Sequence, residues 1–253
     1  MKGDEIKILA GKYGVPAGTL EKDFALTIIL SIISGFDGID KIVFKGGTAL
    51  KKAYFAETRF SEDLDFTCTE DISSGLYDLL IKGIVNKQVN FTEVKEEKTV
   101  AQSKGFSVKY NDFNGYPNSV KIDLSIRENV LGGKENRQII HFYDNIEPSV
   151  FYIPTMTLKE IVAEKVRAIT YAHRPRHLYD MWYIIGKNVV IDPNLVNSKL
   201  ALYGEQFDFK KLKEGITMMK DNWKRDLQYL MPSVPSFDDV TQKVLTKIAD
   251  VMK

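Results

Sequence analysis

Asp63 and Asp65 stand two residues apart in a run, 63–68, whose polar and apolar residues alternate. Alternation with period two predicts a strand carrying Asp63, Asp65 and Thr67 on one face and Leu64, Phe66 and Cys68 on the other. Two carboxylates aimed the same way can share one or two hard cations, and Mg2+ takes oxygen ligands at about 2.1 Å with one or two carboxylates each. A third carboxylate, Asp123, lies in a second alternating run, 119–127: Val120, Ile122, Leu124 and Ile126 face one way, Lys121, Asp123, Ser125 and Arg127 the other. Upstream, Ile42-Val43-Phe44 ends at Gly46-Gly47-Thr48. This reads as a buried strand entering a turn, with Thr48 capping a short helix over 49–54. Backbone N–H groups at such a helix start favour a phosphate. Carboxylates and glycine turn together point to metal-dependent phosphoryl or nucleotidyl transfer. Each part also has a plainer reading, a simple turn and a solvated acidic edge, and the residues alone leave both open.

A lysine gives a second line. In the helix predicted for 158–171, Leu158, Ile161, Val162 and Ile169 form one face, and Lys165 falls near its middle, opposite Glu160, Glu164 and Arg167. A lysine there either snorkels to the surface or reaches a buried anion. If a triphosphate is bound, that ammonium can offset charge on it. Asp180 sits one turn before Ile184, placed either to pair with Arg176 or Lys187 or to orient Lys165. His173 and His177 flank a proline break and read as exposed, His141 as a strand histidine, and Cys68 as a small core residue.

The elements that must position these groups divide near residue 156. Before it come a largely buried helix at 19–34 with Thr19 as N-cap, a helix at 73–87, and strands at 91–98 and 106–110. One more strand is expected at 138–143, and a break at Pro154. After it, Thr157 and Glu160 make a capping box, and helices are expected at 177–185, 209–223 and 239–252. The fold class is therefore α+β: a mixed α/β part, 1–156, with a central mixed sheet, then an all-helical part, 157–253.

The 253 residues carry 35 Lys and Arg against 34 Asp and Glu, which excludes a disordered acidic or basic tail. That balance is uneven: residues 1–156 hold 19 basic and 22 acidic side chains, residues 157–253 hold 16 and 12. A carboxylate-bearing half thus adjoins a basic half suited to an anionic substrate. One cysteine rules out an intrachain disulfide framework and suits a reducing cytosol. The longest uncharged apolar run, 24–36, is 13 residues, too short to span a bilayer, so a cytoplasmic protein without membrane association is expected. P-loop, dinucleotide-binding, serine-hydrolase and zincin signatures are absent from the sequence.

The run Phe44-Lys-Gly-Gly-Thr-Ala-Leu-Lys-Lys-Ala-Tyr54, followed by Arg59-Phe-Ser-Glu-Asp-Leu-Asp-Phe66, resembles the AbiEii/AbiGii toxin family of DNA-polymerase-β-like nucleotidyltransferases. Leu20-Glu-Lys-Asp23, Lys121-Ile-Asp-Leu-Ser125, the helix around Lys165 and Arg176-His-Leu-Tyr-Asp180 extend it over about residues 19–185. The resemblance implies a nucleotidyltransferase core followed by a helical part. It implies that Asp63, Asp65 and Asp123 carry two Mg2+ ions, that Lys45, Gly46, Gly47 and Thr48 hold the triphosphate of an NTP, and that Lys165 and Asp180 are catalytic. Arg59 and Ser61 join the nucleotide-binding set, Arg59 by fixing the loop before the aspartates or touching phosphate. Thr48 stands where the wider superfamily often has Ser, and keeps the hydroxyl. The resemblance further implies the toxin half of a type IV toxin–antitoxin or abortive-infection system, with an antitoxin partner. The acceptor stays open. A structured RNA end such as the tRNA 3′ end is favoured by the basic helical half with its Tyr and Trp residues. A protein hydroxyl and a catalytically silent nucleotide- or RNA-binding role are the rivals.

Overall fold

In the computed structural model the described residues are 3–85, 89–97, 103–126 and 129–252. They form two compact units: residues 1–129 with 134–155, and residues 130–133 with 156–253.

The first unit opens with helices α1 (Gly3–Tyr13) and α2 (Ala17–Ile33), then strand β1 (Ile42–Lys45). A helical run follows directly, α3 (Gly46–Ala49) continuing as one π-helical turn, Leu50–Tyr54. Next come β2 (Asp63–Cys68), α4 (Ser73–Gly83), β3 (Asn90–Glu96), β4 (Ser103–Asn111), β5 (Pro117–Ser125), β6 (Lys134–Gln138) and β7 (Tyr152–Met156). The strands make one mixed seven-stranded sheet in the order β3-β4-β5-β2-β1-β7-β6. The central pairs matter most: β1 runs antiparallel to β2, and β2 parallel to β5. Leu64, Phe66, Val120, Ile122 and Leu124, the apolar sides of β2 and β5, are buried with Leu20, Phe24, Ile28 and Leu30 of α2. The period-two pattern therefore sets which face the acids occupy.

Several expectations need correction. Helix α2 begins at Ala17 behind Pro16, so Thr19 lies inside it and does not cap it; proline is tolerated there because the first N–H groups of a helix have no intrahelical partner. The strand expected at 138–143 is displaced to β6, because the Ile139 N–H already bonds Phe151 O and Ile140 N–H bonds Lys52 O. Pro154 breaks nothing; it sits inside the short strand β7, which pairs with β1 at Phe44 and Thr155, one residue beyond the proline. Lys87, Lys98 and Arg127, given above as ends of expected elements, lie outside the described residues.

The second unit contains α5 (Leu158–Tyr171), α6 (Pro175–Gly186), α7 (Pro193–Ala201), α8 (Phe209–Thr217), α9 (Trp223–Leu227) and α10 (Phe237–Val251). The helix expected over 209–223 ends at Thr217; a 3-10 turn at Lys220–Asn222 follows, and α9 begins only at Trp223. Thr157 caps α5 by accepting from Glu160 N–H. Glu160 does not close the capping box: its buried carboxylate instead accepts from Leu131 and Gly132 N–H and pairs with Lys199 of α7. That one carboxylate ties the segment 130–133, α5 and α7 together. Arg167 reinforces the same side, bonding Glu205 through Nε and Nη2 while stacking on Tyr203 at 3.3 Å. No helix among the described residues is long and apolar enough to cross a membrane.

Candidate active site

Gly46 joins β1 to α3 with φ +80°, a left-handed conformation that glycine adopts without Cβ strain. Its missing side chain has a second use: a Cβ there would overlap Asp65 Oδ2 and lie 3.3 Å from Asp65 Cγ. The antiparallel register explains the approach, since Lys45 pairs with Asp65 across β1 and β2. The first aspartate is tied to the same turn, because Thr48 Oγ1 donates to Asp63 O at 2.5 Å. Thr48 is buried, and its hydroxyl is committed to holding β2.

The parallel register of β2 and β5 sets Asp65 beside Asp123 and Asp63 beside Lys121. All three aspartates consequently share one sheet face, with Asp63 and Asp65 half-buried and Asp123 exposed. Ser103 Oγ on β4 donates to Asp123 Oδ1 at 2.7 Å and orients it. Farther along the same face, Thr67 donates to Ser125 O at 3.1 Å and closes the strand ends. Among the described residues no three His, Cys, Asp or Glu side chains converge closely enough to hold a metal ion. The donor chemistry nonetheless fits a hard dication: every candidate ligand is a carboxylate oxygen, two of them project from alternate residues of one strand, and a hydroxyl already restrains the third. Ser103 carried no sequence signal as a site neighbour, and Lys121, expected on the face of Asp123, comes beside Asp63 only through the strand register.

The loop before β2 is built from buried cations. Lys51 Nζ donates to Ala56 O at 2.8 Å and Thr58 O at 3.0 Å, and lies 3.9 Å from the Phe60 ring centroid. Arg59 is buried too, with Nη1 donating to Phe60 O at 3.0 Å, so the structure places it within the loop wall. Ser61 is likewise buried, and Lys45 half-buried. Burial lowers the Lys51 ammonium from its ordinary 10.5 to about 8, against the pull of Asp23. Between those values the unfolded chain binds more protons than the folded one at this group, so its contribution to stability rises with pH from about 8 to 10.5. Urea unfolding of wild type and Lys51→Met at pH 7, 8.5 and 10 should show the wild type gaining on the variant by an order of 2 kcal/mol over that range. A pH-independent difference between them would mean that Lys51 stays fully protonated in the fold.

In the second unit Lys165 and Asp180 meet. Lys165 Nζ lies 2.5 Å from Asp180 Oδ2, both groups being buried, and 3.5 Å from His177 Nδ1. A buried ammonium without its carboxylate is costly, about 3–5 kcal/mol when one partner is removed, so the two groups hold each other in the fold, and Lys165 is a partner of Asp180. His177 is half-buried beside the pair and not the exposed break residue expected; its i+12 spacing from Lys165 crosses the 172–174 turn and gives no helical-face signal. His173 bonds Thr170 O, and His141, outside any strand, bonds Ser149 O. Burial raises the Cys68 thiol to about 12, which keeps it an inert core group.

The profile of the nucleotidyl transferase AbiEii toxins of type IV toxin–antitoxin systems matches residues 28–243. The chain belongs to this family. As an AbiEii member it is a nucleotidyltransferase toxin, and the acid face, the glycine turn and the Lys165–Asp180 pair all fall inside the matched span. Solved structures share its fold. MenT4, a nucleotidyltransferase toxin of Mycobacterium tuberculosis H37Rv, superposes with a TM-score of 0.75 at 20% identity over 100% of this chain and 90% of its own. JHP933 from Helicobacter pylori gives 0.66 at 17% identity over 94% and 93%. No curated protein matches the AbiEii chain in sequence.

Proposed function

We propose that the chain transfers a nucleoside monophosphate from an NTP to an RNA 3′ hydroxyl, at the face carrying Asp63, Asp65 and Asp123, with Mg2+ as its cofactor. The observation that carries this reading is the contact of Asp65 with Gly46. It brings a carboxylate and a backbone turn rich in N–H groups to one spot, and a metal–triphosphate complex needs both.

Asp63 and Asp65 would hold Mg2+, with Asp123 completing the oxygen set. When bound, the ion neutralises triphosphate charge and eases ionisation of the acceptor hydroxyl. The backbone N–H groups of Gly46, Gly47 and Thr48 donate to phosphate oxygens, and Lys45 flanks them. Lys121, paired with Asp63 across the strands, adds a cation on the exposed side. The bond formed joins the acceptor oxygen to the α-phosphorus. The bond broken releases pyrophosphate, whose charge the backbone N–H groups of the glycine turn would help to offset. Lys165, ion-paired with Asp180 in the second unit, is the further catalytic group that the family likeness implies. Arg59 and Lys51 act on the loop that presents β2, and Ser61 belongs to the same buried segment.

The basic excess of residues 157–253 and their exposed Tyr229 favour an RNA acceptor over a protein, with the tRNA 3′ end as the first choice. An antitoxin encoded with the chain, and action in the cytoplasm where NTP and tRNA coexist, complete the reading. Incubation with α-labelled NTPs, Mg2+, total RNA and lysate tests it. Label on the 3′ end of RNA is the expected result. Label on protein would replace the acceptor, and no label on either, with bound nucleotide, would leave a binding protein in place of an enzyme.

A further inference from the structure

Nine residues, 46–54, carry the glycine turn at their start and end in a π-helical turn closed by Phe55 N–H to Leu50 O at 2.7 Å. Isolated π-turns are rare and recur at functional sites. Here the turn sends two adjacent lysines into the protein in different directions. Lys51 goes forward to the loop, as described. Lys52, 1% exposed, goes back to α2, where Nζ donates to Asp23 Oδ2 at 2.6 Å and Thr27 Oγ1 at 2.9 Å. Tyr143 OH donates to the same Asp23 oxygen at 2.7 Å and lies 3.2 Å from Leu20 O. The backbone end of the run is held as well: Ile140 N–H bonds Lys52 O at 2.6 Å, and Arg137 bonds Ala53 O through Nε and Nη2.

As a source of stability this network is poor. Two full charges are removed from water, and the second Asp23 oxygen, Oδ1, is buried with no hydrogen-bond partner. An apolar pair of the same volume would cost less. What ion pair and π-turn do supply is direction: a short, charge-assisted tie, one helical turn behind Thr48, that fixes where the turn's N–H groups point.

We infer that Asp23 and Lys52 are positioning residues for the triphosphate grip, holding the Gly46–Gly47–Thr48 turn against β2 through the helical run behind it. Neither group touches the reacting atoms. The inference rests on the nucleotide-transfer reading above, and it makes a different kinetic demand from that reading. Contacts made equally to bound NTP and to the transition state appear in KM, whereas loss of a metal-holding carboxylate appears in kcat.

The test is NTP-dependent transfer by the Asp23→Leu/Lys52→Met double variant, which removes both buried charges together and leaves Tyr143 with Leu20 O. The expected result is a folded protein with wild-type thermal stability or better, an NTP KM raised about tenfold, and kcat changed much less. Thr27→Val, a near-isosteric change that takes away one Lys52 contact, should raise KM about threefold and decides the matter if the double variant does not fold. An NTP KM equal to wild type in a folded double variant, or in Thr27→Val where the double variant is lost, overturns the positioning role and leaves the transfer reading intact. Absence of transfer and of NTP binding in the wild type itself overturns both.

Discussion

Asp65→Asn is expected to lower single-turnover nucleotide transfer on the order of a thousandfold while the protein stays folded. The substitution keeps the size and planarity of the side chain, so the contact with Gly46 and the register with Lys45 and Asp123 persist. Only the negative charge is lost, at a carboxylate that lies against the glycine turn and neighbours a second acid across the strands. Stability should change little, because Asp65 is half-buried and the core of β2 is carried by Leu64 and Phe66. Asp123→Asn should be milder in the same assay, since that side chain is exposed and its amide can still accept from Ser103. Equal activity of wild type and Asp65→Asn would remove the acid face from the chemistry.

The second large effect is expected from Gly46→Ala. At φ +80° any L-residue costs about 1–2 kcal/mol, enough to lower Tm by a few degrees in a chain of this size. The added methyl also displaces the Asp65 carboxylate, and moving the oxygen proposed to hold the metal by about 1 Å should reduce transfer about a hundredfold. Gly18→Ala in α2, where a Cβ meets nothing within 4 Å, is the matched control and should be neutral or slightly stabilising. A Gly46→Ala protein with full activity and only a lowered Tm would confine this glycine to backbone geometry.

Much of this site was legible because strand periodicity is a local property. The alternation in 63–68 and 119–127 assigns the three aspartates to the polar sides of their strands from their own neighbours alone, and Gly46-Gly47 marks the turn. The apolar stripe of α5 likewise exposed Lys165 as anomalous, and Asp180 as a choice between partners. What was not legible depends on pairing between distant segments. Asp23 and Lys52 lie 29 residues apart; Asp23 falls in a helix expected to be largely buried, but no local pattern names Lys52 as its partner. The alignment of Ser103 and Lys121 with the aspartates exists only once β4, β5 and β2 are in register. Two helices were missed for different reasons. α1, Gly3–Tyr13, buries just Ile6 and Ala10 among its charged residues, so its apolar stripe is too thin to stand out. α7 did carry a local signal, Asp192 capping Asn194 and Leu195 N–H with Pro193 at the first helical position, and it went unread. The capping box at Thr157 was half right for an instructive reason. Glu160 had the spacing to close it, but Gly132 and Lys199 offered its carboxylate better partners.

The most direct test of the central claim is a paired single-turnover assay with α-labelled and γ-labelled NTP, Mg2+ and total RNA, run on wild type and Asp65→Asn. The expected result is α-label joined to RNA and γ-label released in pyrophosphate by the wild type, with both signals lost in the variant. α-label joined to RNA at the wild-type rate by a folded Asp65→Asn protein would contradict it.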